Sequence, residues 1–150
     1  MQRCAGVSLL EMLLVIALIA GIGVLAAAAL GGGFKGAQLR NSAREIAAQL
    51  RYTRTHAIAT GQPQRFTVDP DAHRWAAANG RRGEIPEAVR VRFIGARELQ
   101  PRVGEGAIVF FADGASSGGR VHLQSGNAAW QVDVGWVTGE VRLQRAEAAR

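Results

Sequence analysis

The sequence predicts an α+β protein in which one long N-terminal helix packs on an antiparallel β-domain made of two small sheets. Two kinds of periodicity and the turns between them support this prediction. The first 60 residues combine an apolar start with helical spacing, and short runs with a period of two follow. Turn residues separate those runs, and no second helical pattern appears. The chain therefore divides into one helix and one β-domain.

The N-terminal part of the helix is strongly apolar. Met12–Leu30 contains 19 uncharged residues, most of them aliphatic. A helix needs about 20 such residues to cross the hydrocarbon core of a bilayer, so this stretch is long enough to span a membrane. Glu11 lies at its front edge. An acid on a membrane helix is costly without a partner, so this carboxylate needs an explanation.

Two general interpretations fit this apolar stretch. A secretory signal peptide would have Arg3 in its charged region and would be cut near Ala26–Ala28. Glu11 argues against it, because the acid shortens the apolar run. An ordinary membrane anchor would use Ser8 and Glu11 as a capping box, in which the pattern S-x-x-E satisfies free N–H groups of the first turn.

A third interpretation comes from a resemblance. The chain has Arg3, a glycine at position 6, a glutamate five residues later, and then an unbroken apolar helix. This pattern resembles the N-terminus of type IV pilins and type II secretion pseudopilins. The resemblance implies that a prepilin peptidase cuts between Gly6 and Val7, that the new amine of Val7 is methylated, and that Glu11 acts in assembly. Val7 departs from the family, which usually has Phe or Met there.

The pattern and the resemblance together divide the chain into four segments. We expect residues 1–6 to be a prepilin leader, 7–34 a transmembrane and assembly helix, 35–61 an amphipathic helix and 62–150 a periplasmic β-domain. Between the two helical segments, Gly31–Gly33 predicts a kink, a melted turn or a break, because glycine is unfavourable inside a helix.

The amphipathic segment carries one apolar face. Its apolar and small residues follow 4-3-4-3-4 spacing, which places them on one side of a helix, and arginines occupy the other sides. The residues of this face are Leu39, Ala43, Ile46, Leu50, Thr53 and Ala57. Gly61 and Pro63 end the pattern, because glycine suits a helix C-terminus and proline cannot continue a helix.

Short strands are predicted after Pro63. Asp69–Ala72 indicates a hairpin turn, and Asn79–Gly80 indicates another turn. The continuous apolar run Ile108–Phe111 predicts a central strand. The remaining strands are expected near residues 65–69, 74–77, 89–93, 121–124, 130–134 and 141–143.

Composition limits the possible functions. The formal net charge is +6, from 18 Lys and Arg against 12 acids. The arginines are dispersed, which favours a solvated surface over a nucleic-acid patch. Cys4 is the only cysteine and lies in the expected leader, so no disulfide is predicted.

Catalytic patterns are absent from the sequence. Ser116, Ser117, His122 and Asp113 lack the G-x-S-x-G elbow of a nucleophile, and the glycines near them lack the Lys-Ser/Thr of a phosphate-binding loop. The three histidines have no metal-ligand spacing. We therefore predict that the protein is not an enzyme and that it binds neither a metal nor a cofactor. The tryptophans are expected to pack in or beside the core rather than to stack on bases; they are Trp75, Trp130 and Trp136.

Two further motifs narrow the resemblance. The pattern F-x-x-D-G-x-S-x-G-G starts at Phe110, and W-x-T-G-x-V starts at Trp136. Both resemble the GspH/FimT branch, which contains the H-type minor pseudopilins and FimT-like minor pilins. The motif residues are Asp113, Gly114, Ser116, Gly118, Gly119, Trp136, Thr138 and Gly139. Judged by residue type alone, the first motif is a tight strand connection with glycines at positive φ.

The resemblance implies a structural subunit near the tip of the type II secretion pseudopilus, which exports folded proteins. Its partners would be the other minor pseudopilins, the major pseudopilin, the prepilin peptidase and the exported proteins. The chain would cross the inner membrane once, with a cytoplasmic N-terminus and a periplasmic domain. Glu11 would pair with the amine of a neighbour's Val7. The alternative is a FimT-like minor pilin that binds DNA for uptake, with support from Arg142, Arg145 and Arg150.

The position of the cut is directly testable. We predict that the mature protein begins at Val7 in cells that contain the prepilin peptidase, because the spacing of Gly6 and Glu11 matches the processing pattern. Intact mass or N-terminal sequencing should show loss of the first six residues. A mass corresponding to a cut after Ala28 would establish the signal-peptide interpretation instead.

Overall fold

The computed structural model describes residues 8–95 and 104–148, with the backbone alone described for residues 27–33. It confirms the α+β class with two antiparallel sheets of four strands each. A short 3-10 helix, Ala78–Gly80, replaces the turn predicted at its last two residues. The elements are α1 Leu9–Thr60, β1 Gln64–Asp69, β2 Arg74–Ala76, β3 Arg82–Glu84, β4 Arg90–Ile94, β5 Gly106–Phe110, β6 Gly119–Ser125, β7 Ala128–Val134 and β8 Val141–Ala146.

The chain forms two compact units, Met1–Phe34 and Lys35–Arg150. In the first unit, Leu9–Ala26 is helical, has a mean hydropathy of 2.7 and is not buried. By length and composition this segment fits a membrane anchor. The helix includes Gly31–Gly33, so the triple glycine does not end it. Each glycine costs about 1 kcal/mol relative to alanine, and this cost is small compared with the stabilisation from the helical residues on both sides.

In the second unit, the predicted apolar face of α1 is confirmed. All six residues with 4-3-4-3-4 spacing are buried, and Ala47 on the same side is buried with them. Thr53 is the polar member of this face, and its hydroxyl donates to the Gln49 carbonyl oxygen at 2.8 Å. This internal bond satisfies the hydroxyl, so threonine can be buried there.

The first sheet has the strand order β3-β2-β1-β5. The predicted hairpin joins β1 to β2, and the Asp69 carboxylate accepts the backbone N–H groups of Asp71 and Ala72 at 3.0 and 2.9 Å. On the buried side, the Trp75 ring stacks on Phe66, with ring centroids 6.3 Å apart. The same ring covers Gly83 so closely that a β-carbon at this position would overlap it. Glycine in β3 therefore makes room for the indole.

The second sheet has the strand order β4-β6-β7-β8. Its outer face is polar: the Asp133 carboxylate forms an ion pair with Arg120 and accepts hydrogen bonds from Gln131 and Gln144. Its inner face is apolar and contributes Val121, Leu123 and Val132 to the core.

The position of β5 corrects one prediction. The apolar run Ile108–Phe111 was expected in a central strand, but β5 is at the edge of the first sheet and pairs with β1 alone among the described strands. The loop that follows β5 covers its outer side. The Ser117 hydroxyl accepts the Val109 N–H at 3.0 Å, and the Ser117 N–H donates to the Val109 carbonyl oxygen at 2.9 Å. At Val109 the loop therefore makes the backbone hydrogen bonds that a neighbouring strand would make.

A single apolar cluster joins α1 to both sheets. It contains Leu39, Ile46 and Leu50 from the helix together with inward residues of seven strands, among them Phe66 and Leu123. The helix side chains cover the apolar faces of both sheets. The core of the second unit therefore depends on the apolar face of residues 39–57.

Substitution of this face should unfold the second unit. Leu50→Asp in the fragment Lys35–Arg150 places a carboxylate without a partner where Leu50 is fully buried, so the free energy of unfolding should fall by about 3 kcal/mol or more. Ala48→Asp is the matched control, because Ala48 is exposed on the same helix and should cost less than about 1 kcal/mol. Urea unfolding at neutral pH measures both. Equal losses in the two variants would show that the helix face is not docked.

Candidate assembly sites

The first candidate site is the N-terminal end of α1. Gly6 and Val7, the expected cleavage and methylation residues, lie outside the described residues. Ser8 precedes the helix, and its hydroxyl accepts the Leu10 N–H at 3.3 Å. The predicted cap is therefore present, although it reaches Leu10 rather than the Glu11 N–H that a capping box would use.

Glu11 lies in the first turn of α1, and its carboxylate is exposed. Within residues 8–95 and 104–148 it has no hydrogen-bonding or ion-pair partner. The surface that follows is formed by exposed aliphatic side chains, including Leu10, Met12 and Leu14. A negative charge at the front of an apolar surface can be satisfied by a cation from outside this chain.

The second candidate site joins the two sequence motifs. In the first loop, residues 111–118, the Asp113 carboxylate accepts the Ala115 N–H at 3.0 Å and fixes the turn. Ser116 is buried; its hydroxyl donates to the Gly135 carbonyl oxygen and accepts the Gly118 N–H, both at 2.9 Å. One serine side chain therefore links the first loop to the second.

The backbones of the two loops also lie against each other. The Ser116 N–H donates to the Trp136 carbonyl oxygen at 2.9 Å. Gly114, Gly118 and Gly139 have φ values of +86°, +70° and +61°, which confirms the prediction of positive φ for the first two. A β-carbon on Gly139 would overlap the Gly114 carbonyl oxygen, and one on Gly118 would lie against Trp136. These glycines permit both the turn and the close approach.

The remaining motif residues support the same arrangement. Gly119 begins β6 and lies against Ile108 of the first sheet. The Thr138 hydroxyl accepts the Glu140 N–H at 3.2 Å, and the Gly139 N–H donates to the Gly135 carbonyl oxygen at 2.8 Å. The second loop, residues 135–139, is therefore fixed by its own hydrogen bonds as well as by Ser116.

Arg54 of α1 connects both loops to the helix. Its Nε donates to the Gly114 carbonyl oxygen and one of its terminal nitrogens donates to the Thr138 carbonyl oxygen, both at 3.0 Å. One turn earlier, Arg51 donates to the Val141 carbonyl oxygen at 3.2 Å. Both arginines were expected on the sides of the helix away from its apolar face, and their bonds to the loops were not predicted. Nothing in the spacing of the arginines distinguishes them from their exposed neighbours.

Trp136 corrects another prediction. Trp75 is buried and Trp130 is half-buried as expected, whereas Trp136 is 74% exposed. The backbone on both sides of Trp136 is bound to Ser116, and this arrangement directs the indole away from the core. The exposed aromatic ring therefore lies on a loop whose backbone is fixed by hydrogen bonds.

A charged pair lies beside the second loop. Arg142 donates to the Glu140 carboxylate at 2.7 Å. This hydrogen bond lowers the pKa of Glu140 below its ordinary value, and the positive charges of Arg142 and Arg54 act in the same direction. The carboxylate therefore stays ionised throughout the neutral and mildly acidic range.

The hydroxyl and carboxylate groups of the first motif are occupied by backbone groups. The Ser116 hydroxyl is hydrogen-bonded to Gly135 and Gly118, and the Asp113 carboxylate is hydrogen-bonded within its own turn. His122 lies on β6, in register with Arg92 and Gln131 on the neighbouring strands. The geometry is that of a rigid connection between helix and sheets.

A family model described as type II transport protein GspH matches residues 42–139, which include Arg54 and both loops. The chain belongs to the GspH family. This is a family of structural pseudopilin subunits. The chain is also 65% identical, over 94% of its own length and 83% of the relative's, to the type II secretion system protein H of Xanthomonas campestris pv. campestris.

Solved structures agree on the fold. The minor pseudopilin EpsH of Vibrio cholerae has a TM-score of 0.58 and 17% identity, covering 72% of this chain and 97% of its own. The type IV minor pilin FimU of Pseudomonas aeruginosa has a TM-score of 0.55 and 13% identity, covering 71% of this chain and 87% of its own. At such low identity these likenesses show the fold alone. The sequence relative favours type II secretion over the DNA-uptake alternative.

The contact between the loops can be tested at Gly139. Gly139→Ala must accept a positive φ and must also separate the two loops, whereas Gly126→Ala has a similar φ with no atom nearby. We expect both variants to lose about 1–2 kcal/mol from backbone strain, and Gly139→Ala to lose about 1–3 kcal/mol more from overpacking. Urea unfolding of the Lys35–Arg150 fragment measures the difference. Equal losses would mean that the close approach is not needed for stability.

Proposed function

We propose that this homologue of the type II secretion minor pseudopilins joins the pseudopilus through an ion pair between Glu11 and the N-terminal amine of a neighbouring subunit. One observation carries the proposal. Glu11 has no partner among the described residues of its own chain, and it stands at the front of an exposed apolar helix. Packing that helix among others would bury the carboxylate, and a buried charge is tolerable only when it is paired.

Processing supplies the cation in this proposal. A cut between Gly6 and Val7 creates a new amine on Val7, four residues before Glu11 in sequence. The amine stays positively charged after methylation and can reach a carboxylate on an adjacent helix. The aliphatic faces of Leu9–Ala26 then pack between subunits and exclude water from the pair. Exclusion of water strengthens the attraction.

The membrane topology follows from the same segment. Arg3 precedes a span that is long enough to cross the inner membrane, so the N-terminus stays in the cytoplasm and the second unit is exported. Long domains are translocated largely regardless of their charge, so the net charge of +6 does not oppose export. The prepilin peptidase then acts at the cytoplasmic end of the helix.

The place of the subunit is near the tip of the pseudopilus, beside the other minor pseudopilins and above the major one. The assembled pseudopilus exports folded proteins, and this subunit acts there as a structural component rather than as an enzyme. The name of the Xanthomonas relative, type II secretion system protein H, supports the assignment to this system. The pseudopilin family supports the structural role.

The ion pair can be tested with Glu11→Gln in the full chain. Glutamine keeps the size of the side chain and removes its charge, so membrane insertion should be retained. Incorporation with the other pseudopilins should fall, because the neighbour's buried amine loses its counter-charge at a cost of several kcal/mol. Co-purification with the other pseudopilins at equal membrane abundance measures the effect.

Ser8→Ala is the matched control. It removes the hydroxyl that accepts the Leu10 N–H and leaves the Glu11 charge in place, so it should cost about 1 kcal/mol of helix stability without blocking assembly. Undiminished co-purification and secretion by Glu11→Gln would contradict the pairing. An equal defect in both variants would point to the first helical turn instead of the charge.

A further inference from the structure

Most of the large exposed apolar side chains of the second unit's described part lie on the two interlocked loops or on the helix beside them. In its described part, five large apolar side chains are exposed: Ile58, Ile94, Phe111, Trp136 and Val137. All except Ile94 belong to the last turns of α1 or to the two interlocked loops, and we call these four residues the end patch. Ile58 lies beside Gly114 of the first loop, and Gly118 lies beside Trp136 of the second. Clustered exposure of this kind marks an interaction surface.

The backbone beneath the end patch is held firmly. Ser116 ties the two loops together, and Arg54 ties both loops to α1. Trp136 and Val137 are 74% and 62% exposed although the backbone around them is hydrogen-bonded. An aromatic side chain presented on a fixed backbone loses little freedom on binding, which is the usual character of an interface hot spot.

Positive charge borders the end patch on its helix side. Arg51, Arg54 and Glu140 line a hollow beside the loops. The Glu140 carboxylate is bound to Arg142, whereas Arg51 and Arg54 donate to backbone carbonyl oxygens and have no carboxylate within ion-pair distance in residues 8–95 and 104–148. Glu140 is the one carboxylate that lines this hollow in the described residues, and although the charge of Arg54 also acts on it, the border keeps a net positive charge that can attract acidic groups of a partner.

The patch also has a defined position along the chain. Ile58 lies 23 residues after Lys35, where the chain enters the second unit. This separation corresponds to about 35 Å of helix. The end patch belongs to the second unit and not to the apolar segment Leu9–Ala26, so it is suited to another protein surface rather than to lipid.

We infer that the end patch is a docking surface for the soluble domain of another pseudopilin, which presents an apolar surface bordered by carboxylates. This inference rests on the proposed function, because it names the second contact of the same assembled subunit. A constant partner suits a fixed aromatic anchor better than exported proteins of varied surface do. The carboxylates of the partner would face Arg51 and Arg54.

The inference is tested with the full chain in cells that contain the other pseudopilins. Trp136→Ser keeps the β-carbon near Gly118 and removes the exposed ring, so the loops should stay intact. Co-purification with the other pseudopilins should fall about tenfold or more, as expected for loss of an aromatic hot spot. Ile94→Ser is the matched control, since Ile94 is 56% exposed but lies outside the patch, and it should leave co-purification unchanged.

A photo-crosslinking residue at position 137 identifies the occupant. The expected product joins this chain to another pseudopilin, and the same residue at position 94 should give no such product. Crosslinks from position 137 to an exported protein, to lipid or to a second copy of this chain alone would overturn the inference.

The two proposals fail in different ways. If wild type and Trp136→Ser co-purify equally with the other pseudopilins, the end patch is not the docking surface and the role of Glu11 stands. If the wild-type chain does not co-purify with them at all, the proposed function fails and this inference fails with it.

Discussion

The second unit depends on the burial of one face of α1 against two sheets whose described strands do not pair from one sheet to the other. Each four-stranded sheet has an apolar face that must be covered, and neither closes on itself. Leu39, Ile46 and Leu50 lie in the same buried cluster as Phe66 of the first sheet and Leu123 of the second. The helix is therefore the shared centre of the core, and both loops of the assembly site are anchored on it through Arg54.

Local patterns in the sequence predicted the parts of this fold that depend on local physics. The buried face of α1 follows from helical spacing, and the hairpin at Asp69 follows from a side chain that bonds its own turn. The partner of β5 could not be predicted in this way. Its apolar residues indicated burial correctly, but burial by a following loop and burial by a neighbouring strand leave the same pattern in the sequence.

The turn-forming role of the glycines and serines in the assembly site could be predicted from the sequence. The contacts that join the two loops to each other and to the helix could not. Positive φ at Gly114 and Gly118 follows from the residue type, but the contact of the two motifs depends on their positions in the folded sheets. In the sequence, Arg54 cannot be distinguished from the other helix arginines, because its partners Gly114 and Thr138 lie beside it only in the folded chain. Trp136 was expected to pack in or beside the core because tryptophan usually does, and here backbone bonding outweighs that preference.

The loop beside β5 also limits the pairing of this edge strand with a strand from a second copy. An open sheet edge can recruit a strand from another copy and polymerise without control. On the apolar edge strand β5, Ser117 occupies the outward N–H and carbonyl groups of Val109. Two of the other edge strands carry a pair of arginines each, Arg90 and Arg92 on β4 and Arg142 and Arg145 on β8, whereas β3 carries both Arg82 and Glu84. The like charges on β4 and β8 oppose the pairing of these edges with the same edges of a second copy, which disfavours β-aggregation.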